Sequence, residues 1–132
     1  LGGKEDMPAA EEIVAACPHV HSACGKFSIM QSASLLEQAR LVITHDTGFM
    51  HIAADFKKVI LSVWGATVPE FGMGPYLPDD RSVIFEAHHL RYRPTSKLGN
   101  RNSARERRTM EEIDEHEIIK EARRLFKELS SP

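Results

Sequence analysis

Residues able to bind an anionic ligand fall close together between positions 46 and 51 of this sequence, at Asp46, Thr47, Gly48 and His51. A carboxylate or hydroxyl in such a turn can accept hydrogen bonds from free backbone amides, and a glycine lets a ligand approach the backbone closely. The amides of Thr47, Gly48 and Phe49, with the Thr47 hydroxyl, could therefore hold the phosphates of a nucleotide. His51 could add a hydrogen bond or a proton to a phosphate or sugar oxygen.

The residues around this turn predict the elements that would position it. Residues 41–43 form a short apolar run, typical of a strand covered on both faces. Residues 49–54 have the composition of a packed first turn of a helix. Open α/β sheets bind anions where a strand leads into a helix, because free N–H groups and the helix dipole point there. The alternative is a purely connecting turn, with His51 bonded to a carbonyl.

The rest of the chain alternates helical and strand patterns. Helices are predicted over residues 7–16, 29–39, 47–56 and 110–129, and strands over residues 19–22, 41–45, 59–63 and 82–85. This alternation predicts a parallel sheet with right-handed crossovers. The second helix is expected to start at a Ser28 cap and to bury Met30, Ala33, Leu35 and Leu36. Residues 1–3 resemble the end of a strand, so the chain is expected to be a fragment that opens inside a sheet.

The composition is that of an ordinary globular domain, with 42% hydrophobic and 27% charged residues in 132. A net charge of −2 gives no general attraction to nucleic acid or to a membrane surface. No apolar run approaches the roughly 20 residues needed to span a bilayer. Cys17 and Cys24 lack the partners of a zinc site or a disulfide framework. We therefore expect reduced thiols in a cytoplasmic protein.

Residues 90–109 have a different character from the rest and are predicted to form a basic loop. The only acidic residue among them is Glu106. The basic residues are Arg91, Arg93, Lys97, Arg101, Arg105, Arg107 and Arg108. The loop is either a solvated linker or a contact for an anionic partner, such as phosphates on a lipid-linked acceptor or an anionic membrane surface. Nucleic acid is disfavoured, because Tyr92 alone is placed to stack on bases.

The turn and its neighbours resemble a known family. Asp-Thr-Gly-x-x-His at residues 46–51 resembles the donor-site signature of glycosyltransferase family 9, the ADP-heptose:lipopolysaccharide heptosyltransferases. Residues 25–28 resemble the Gly-x-x-Ser-Leu element of that family, and residues 65–69 resemble its Gly-x-Thr-x-Pro turn. The likeness covers residues 1–85. It implies an α/β fold, a Rossmann-like parallel sheet with flanking helices that forms the C-terminal domain of a GT-B fold.

The resemblance also implies an activity and further binding residues. The family transfers heptose from ADP-heptose to a lipopolysaccharide core acceptor, with inversion and without a metal or other cofactor. It places an acidic ribose reader at Glu5 or Asp6, and these remain equal candidates. It places an adenine-facing element at Lys26, Phe27 and Ser28, where Phe27 would supply an apolar wall.

The same interpretation assigns the remaining parts of the chain. Thr67 shapes the opposite rim of the donor site, and Asp46 caps the turn or holds a sugar hydroxyl. Residues 1–89 are expected to form an N-terminally truncated donor-binding domain, followed by the basic loop and by an amphipathic helix in residues 110–132. The acceptor domain with its catalytic carboxylate is expected outside this chain. The protein is expected in the cytoplasm, and at the inner membrane if the basic loop contacts lipid.

Two other functions compete with the glycosyltransferase interpretation. A metal-dependent hydrolase could use His45, Asp46 and His51 as ligands, joined by His88 or His89. His45 and Asp46 are neighbours leaving a strand, however, so their side chains start in opposite directions. The second alternative is a non-catalytic nucleotide-binding domain, which would bind ADP as tightly as an ADP-sugar.

Overall fold

The computed structural model describes residues 1–94 and 104–130, which belong to two compact units, Leu1–Leu35 and Leu36–Pro132. The first unit holds a short 3-10 turn, Lys4–Asp6, and helix α1, Met7–Ala16. Pro8 occupies the first turn of α1, where the missing N–H costs no hydrogen bond. The predicted bounds of this helix are confirmed.

Two predicted strand segments of the first unit are wrong. Residues 1–3 and residues 19–22 are not strands. Neither segment has a ladder partner in the part of the chain that the structure describes, and Val20 is exposed. A short segment without a neighbouring strand leaves its backbone groups to turns and solvent.

Helix α2, Ile29–Gln38, begins at a reciprocal cap. The Gln31 amide donates to Ser28 Oγ over 3.3 Å, and the Ser28 amide donates to Gln31 Oε1 over 2.9 Å. This capping box confirms the predicted helix start. The predicted inward face is wrong in part, because Met30 is 78% exposed and Leu35 is 40% exposed. The buried positions are Ser32 and Leu36, which are four residues apart and therefore share one face.

The second unit is built on a parallel sheet of three strands. These are β1, Leu41–His45, β2, Val59–Trp64, and β3, Val83–Glu86, in the order β1-β2-β3. Helix α3, Gly48–Asp55, connects β1 to β2. All residues of β2 are buried, as predicted for a central strand covered on both faces. The predicted α/β fold with a parallel sheet is confirmed.

The two faces of the sheet bury different sets of side chains, because successive residues of a strand point to opposite faces. On one face, α3 packs on the sheet in a cluster of Leu36, Val42, Met50, Ala53, Ala54, Ile60 and Trp64. On the other face, Val59 and Leu61 pack against Leu125. Leu125 belongs to the last helix, so the sheet is covered by helices on both sides.

The end of the chain forms two helices, not the single helix predicted over residues 110–129. Helix α4 is Ala104–Glu111 and helix α5 is Glu115–Ser130. The break follows from Asp114, whose Oδ1 accepts the His116 amide over 2.8 Å and so caps α5. Helix α4 includes residues 104–109, which were predicted to belong to the basic loop. Residues 95–103, with Lys97 and Arg101, lie outside the described residues.

Helix α5 buries a narrower face than its apolar stripe suggests. Leu125 is fully buried, whereas Ile119 is 45% exposed and Phe126 is 58% exposed. Among the described residues, no helix has the length and apolar character needed to cross a membrane.

Candidate functional site

The carboxyl ends of the three strands form one edge of the sheet in the second unit. His45 lies opposite Val63, and Trp64 lies opposite Glu86. Because neighbouring parallel strands are about 4.8 Å apart, the segments that follow them leave from adjacent positions. This edge carries the turn before α3 and the turn after β2.

The start of α3 presents backbone amides at this edge. Thr47 precedes the helix in an extended conformation, with φ −143° and ψ 164°, and its side chain makes no capping hydrogen bond. The Met50 amide donates to the Thr47 carbonyl over 3.0 Å. The amides of Gly48 and Phe49, the first two of the helix, have no acceptor within the helix. They are available to an anion, which the helix dipole also favours.

Gly48 leaves open space in front of these amides. A Cβ atom built on Gly48 would meet no atom within 4 Å. Its φ lies outside the left-handed region, so neither backbone conformation nor internal packing requires a glycine here. The missing side chain instead makes the first turn of α3 approachable from solvent.

A hydroxyl pair orients the Thr47 side chain. Thr44 Oγ1 donates to the His45 carbonyl over 3.0 Å and lies 3.3 Å from Thr47 Oγ1. Either hydroxyl can be the donor in this pair, and when Thr44 donates to Thr47 the Thr47 hydrogen is left for a ligand. Thr44 was not among the predicted site residues, although it stands three positions before Thr47 in the same strand and turn.

Asp46 and His51 interact electrostatically. Partial burial raises the pKa of the Asp46 carboxyl above its usual range, and the positive charge of His51 acts in the opposite direction. His51 itself is exposed. An exposed imidazole beside a partly buried carboxylate can donate a hydrogen bond to an anion that reaches the start of α3.

The turn after β2 is held by a buried arginine. Arg93 Nε donates to the Gly65 carbonyl over 2.6 Å, and Arg93 Nη2 donates to the carbonyls of Thr67 over 2.8 Å and Trp64 over 3.3 Å. Nη2 also lies 2.9 Å from Glu86 Oε2. The side chains of Arg93 and Glu86 are only 4% and 5% exposed. Thr67, predicted at the rim of the site, is itself buried.

This arrangement corrects one part of the sequence interpretation. Arg93 was assigned to a basic loop that faces solvent or an anionic partner. In the structure its guanidinium forms an ion pair with Glu86 and hydrogen bonds to three backbone carbonyls. Arg91 in the same segment is exposed, as are Arg107 and Arg108. Sequence reasoning missed the buried role because the carbonyls that Arg93 binds, at Trp64, Gly65 and Thr67, lie 26 to 29 residues earlier in the chain.

The other predicted site residues belong to the first unit, and all of them are exposed. Asp6 Oδ2 accepts the Gly3 amide over 2.8 Å, and Lys26 Nζ donates to the Ser22 carbonyl over 2.8 Å. The Ser28 hydroxyl caps α2. Glu5 and Phe27 complete this group, and 47% of Phe27 is exposed. Within the second unit, the sheet edge brings together the predicted residues Asp46, Thr47, Gly48, Phe49, His51 and Thr67.

The metal-site alternative receives no support from the geometry. Within residues 1–94 and 104–130, no three His, Cys, Asp or Glu side chains are grouped so that they could hold a metal ion. His88 Nδ1 lies 3.4 Å from Glu86 Oε1, and His89 Nε2 lies 3.3 Å from Glu112 Oε2. These histidines have carboxylate neighbours of their own and do not complete a ligand set with His45.

Comparison with known proteins decides the family. The profile described as Glycosyltransferase family 9 (heptosyltransferase) matches residues 1–104. The chain belongs to this family. The family predicted from the turn residues is therefore confirmed.

Relatives within glycosyltransferase family 9 agree with this assignment. Lipooligosaccharide heptosyltransferase 2 of Haemophilus influenzae is 30% identical over 106 residues, which are 75% of this chain and 30% of that protein. Lipopolysaccharide heptosyltransferase 2 of Salmonella typhimurium is 28% identical over 76 residues, covering 54% of this chain and 22% of that protein. The crystal structure of the family 9 glycosyl transferase from Veillonella parvula superposes with a TM-score of 0.65 at 25% identity, covering 96% of this chain and 35% of that one. The chain thus spans about a third of the length of such relatives.

Proposed function

We propose that this chain is the donor-binding part of a glycosyltransferase that moves a heptose-like sugar from ADP-heptose to a lipopolysaccharide core acceptor. Transfer would proceed with inversion and without a metal ion. The proposal is supported by family membership and by relatives named as heptosyltransferases of lipooligosaccharide and lipopolysaccharide.

The observation that carries the proposal is the open space over Gly48 at the start of α3. The amides of Gly48 and Phe49, with the Thr47 hydroxyl, would hold the diphosphate of the donor there. Negative charge builds on this diphosphate as the glycosyl bond breaks. Donors already fixed at that position stabilise the transition state more than the ground state and so accelerate transfer.

Asp46 and His51 would act on the sugar side of the diphosphate. His51 is exposed and can donate a hydrogen bond to a phosphate or sugar oxygen. Asp46 is partly buried, and its carboxylate would accept from a sugar hydroxyl. A role for Asp46 as the base is disfavoured, because a carboxylate beside a diphosphate repels it unless hydrogen bonds screen the charge.

For the residues of the first unit, the proposal rests on the sequence resemblance. Glu5 or Asp6 would read the ribose, and residues 26–28 would face the adenine. The exposed cations Arg91, Arg107 and Arg108 remain candidates for contact with an acidic acceptor or with anionic lipid. Such a contact would place the protein at the cytoplasmic face of the inner membrane.

Calorimetric titration of the chain with ADP, UDP and GDP tests the proposal. We expect ADP to bind most tightly, and we expect Thr47→Ala and Gly48→Val to weaken ADP binding. Thr47→Ala removes a hydroxyl, and Gly48→Val fills the open space in front of the amides. Equal affinity for all three nucleotides, with no effect of Gly48→Val, would remove the donor-site assignment.

The non-catalytic alternative is separated by a second titration. A donor site gains contacts to the sugar, so ADP-heptose should bind more tightly than ADP. A domain that only binds nucleotide would gain nothing from the sugar.

A further inference from the structure

The buried pair of Arg93 and Glu86 has no place in the donor-site assignment, yet it lies at the same edge of the sheet. Glu86 ends β3 directly opposite Trp64, the last residue of β2. We propose that Arg93 is a positioning residue for the site: anchored by Glu86, it fixes the turn after β2 and thereby the position of Thr67. This inference rests on the proposed function, since Thr67 would border the donor.

The geometry of the contact favours this role over a simple ion pair. One guanidinium gathers the carbonyls of Trp64, Gly65 and Thr67, so almost the whole turn is bonded to a single rigid group. Arginine presents its donors in a planar fork, which lysine cannot reproduce. Converging carbonyl oxygens repel each other unless hydrogen-bond donors lie between them, and the guanidinium supplies several donors and a positive charge.

Glu86 explains how the cation can remain buried. Both side chains are almost fully removed from water, and their charges are 2.9 Å apart. Buried ion pairs add little net stability, because desolvation cancels most of the attraction. The main effect of this pair is therefore to hold the turn in one conformation, at the edge where the proposed donor binds.

An independent contact holds the same turn from the side of α4. A Cβ atom built on Gly65 would lie 2.5 Å from Met110 Sδ and 3.1 Å from Met110 Cγ. The Met110 side chain therefore lies against the turn at Gly65, and it would have to shift if a Cβ were added there. This contact adds to the hydrogen bonds that Arg93 makes to the same turn.

The substitution Arg93→Lys tests the proposal in the full chain. It keeps the positive charge for Glu86 and removes the fork that bonds several carbonyls at once. Amide hydrogen exchange reports on residues 65–67, and calorimetry reports on ADP affinity. We expect exchange at residues 65–67 to become at least about tenfold faster, and ADP to bind about tenfold more weakly, as when one hydrogen bond of ~1.4 kcal/mol is lost.

Two control variants separate positioning from general stability. Arg81→Lys is the matched substitution at an exposed arginine, whose carboxylate partners Asp79 and Glu128 lie away from the turn after β2. Val59→Ala removes buried volume at the opposite end of β2. Val59→Ala should lower the unfolding temperature, and both controls should leave ADP affinity unchanged below that temperature.

The outcomes are distinguishable. Unchanged exchange at residues 65–67 in Arg93→Lys overturns the proposal, and so does faster exchange with wild-type ADP affinity. If Arg93→Lys fails to fold, the double variant Arg93→Met/Glu86→Leu leaves neither charge buried alone, and it should likewise speed exchange at residues 65–67 and weaken ADP binding. Absence of ADP binding by the wild type overturns the proposed function, and the exchange rates then decide alone whether Arg93 fixes the turn.

Discussion

The role proposed for Gly48 depends on its having no side chain. Since a Cβ atom there would touch nothing, Gly48→Ala should fold normally and should be no less stable, because alanine favours helix over glycine by about 1 kcal/mol. Yet the methyl group would stand where a diphosphate must approach the amides, so we expect ADP affinity to fall by about tenfold or more.

Thermal unfolding and calorimetry measure the two effects separately. Gly74→Ala is the matched control, because an added Cβ there would make ordinary contact with Pro69 and φ is not left-handed. It should leave ADP affinity unchanged. Wild-type affinity in Gly48→Ala would contradict the proposed approach of the ligand.

The raised pKa of Asp46 makes the stability of the fold depend on pH. Burial raises the pKa of the folded-state carboxyl, so folding favours the protonated form and ionisation costs stability. This cost develops as pH rises from the ordinary aspartate pKa, about 3.9, through the raised value, and persists at neutral pH. Asp46→Asn should therefore be at least as stable as the wild type at pH 7, with the difference shrinking towards pH 4. Unfolding temperatures between pH 4 and 8 measure it, and a variant less stable at pH 7 would contradict the assignment.

For single residues, the sequence predicts only contacts between residues that are close together in the chain. Asp46, Thr47, Gly48 and His51 are neighbours in the chain, so a strand followed by a helix brings them to one turn. Arg93 is bonded to residues from 7 to 29 positions earlier, and only the fold reveals that contact. An arginine among other arginines indicates a solvated surface, because the sequence does not show which carbonyls lack a partner.

At the scale of elements, helix α5 shows that an apolar side chain in the expected pattern is not always buried. Leu125 is fully buried against Val59 and Leu61, whereas its neighbour Phe126 is 58% exposed. Leu125→Ala should lower the free energy of unfolding by about 3 kcal/mol, through lost transfer energy and the cavity left behind. Phe126→Ala serves as the control and should cost less than about 1 kcal/mol. Urea denaturation measures both, and equal losses would contradict the packing of this helix.

The helices and strands themselves were predictable wherever one pattern dominated. The strands β1, β2 and β3 and helix α1 lie within about one residue of their predicted bounds, because their apolar residues form a clear pattern that is flanked by turn residues. The single helix predicted over residues 110–129 is wrong because one polar residue decides the outcome there. Asp114 ends one helical pattern and caps the next, which periodicity alone does not register.

At the scale of the whole molecule, the relatives that this chain matches are about three times as long as the chain. The proposed site at the sheet edge would supply groups to hold a donor and to stabilise its leaving diphosphate. None of the proposed donor residues is assigned to activate an acceptor hydroxyl. General-base catalysis contributes about 10²–10⁴ to such a rate, and holding the acceptor in place contributes more.

We therefore expect this chain by itself to bind ADP-heptose without transferring the sugar. Calorimetry should detect the binding, and a coupled assay for released ADP should detect no transfer to a lipopolysaccharide core acceptor. The full-length heptosyltransferase of Haemophilus influenzae under the same conditions is the positive control. ADP release by this chain that depends on the acceptor, and that Gly48→Val abolishes, would show that its own residues activate the hydroxyl. The search for a base would then turn to the carboxylates beside the start of α3, beginning with Asp46.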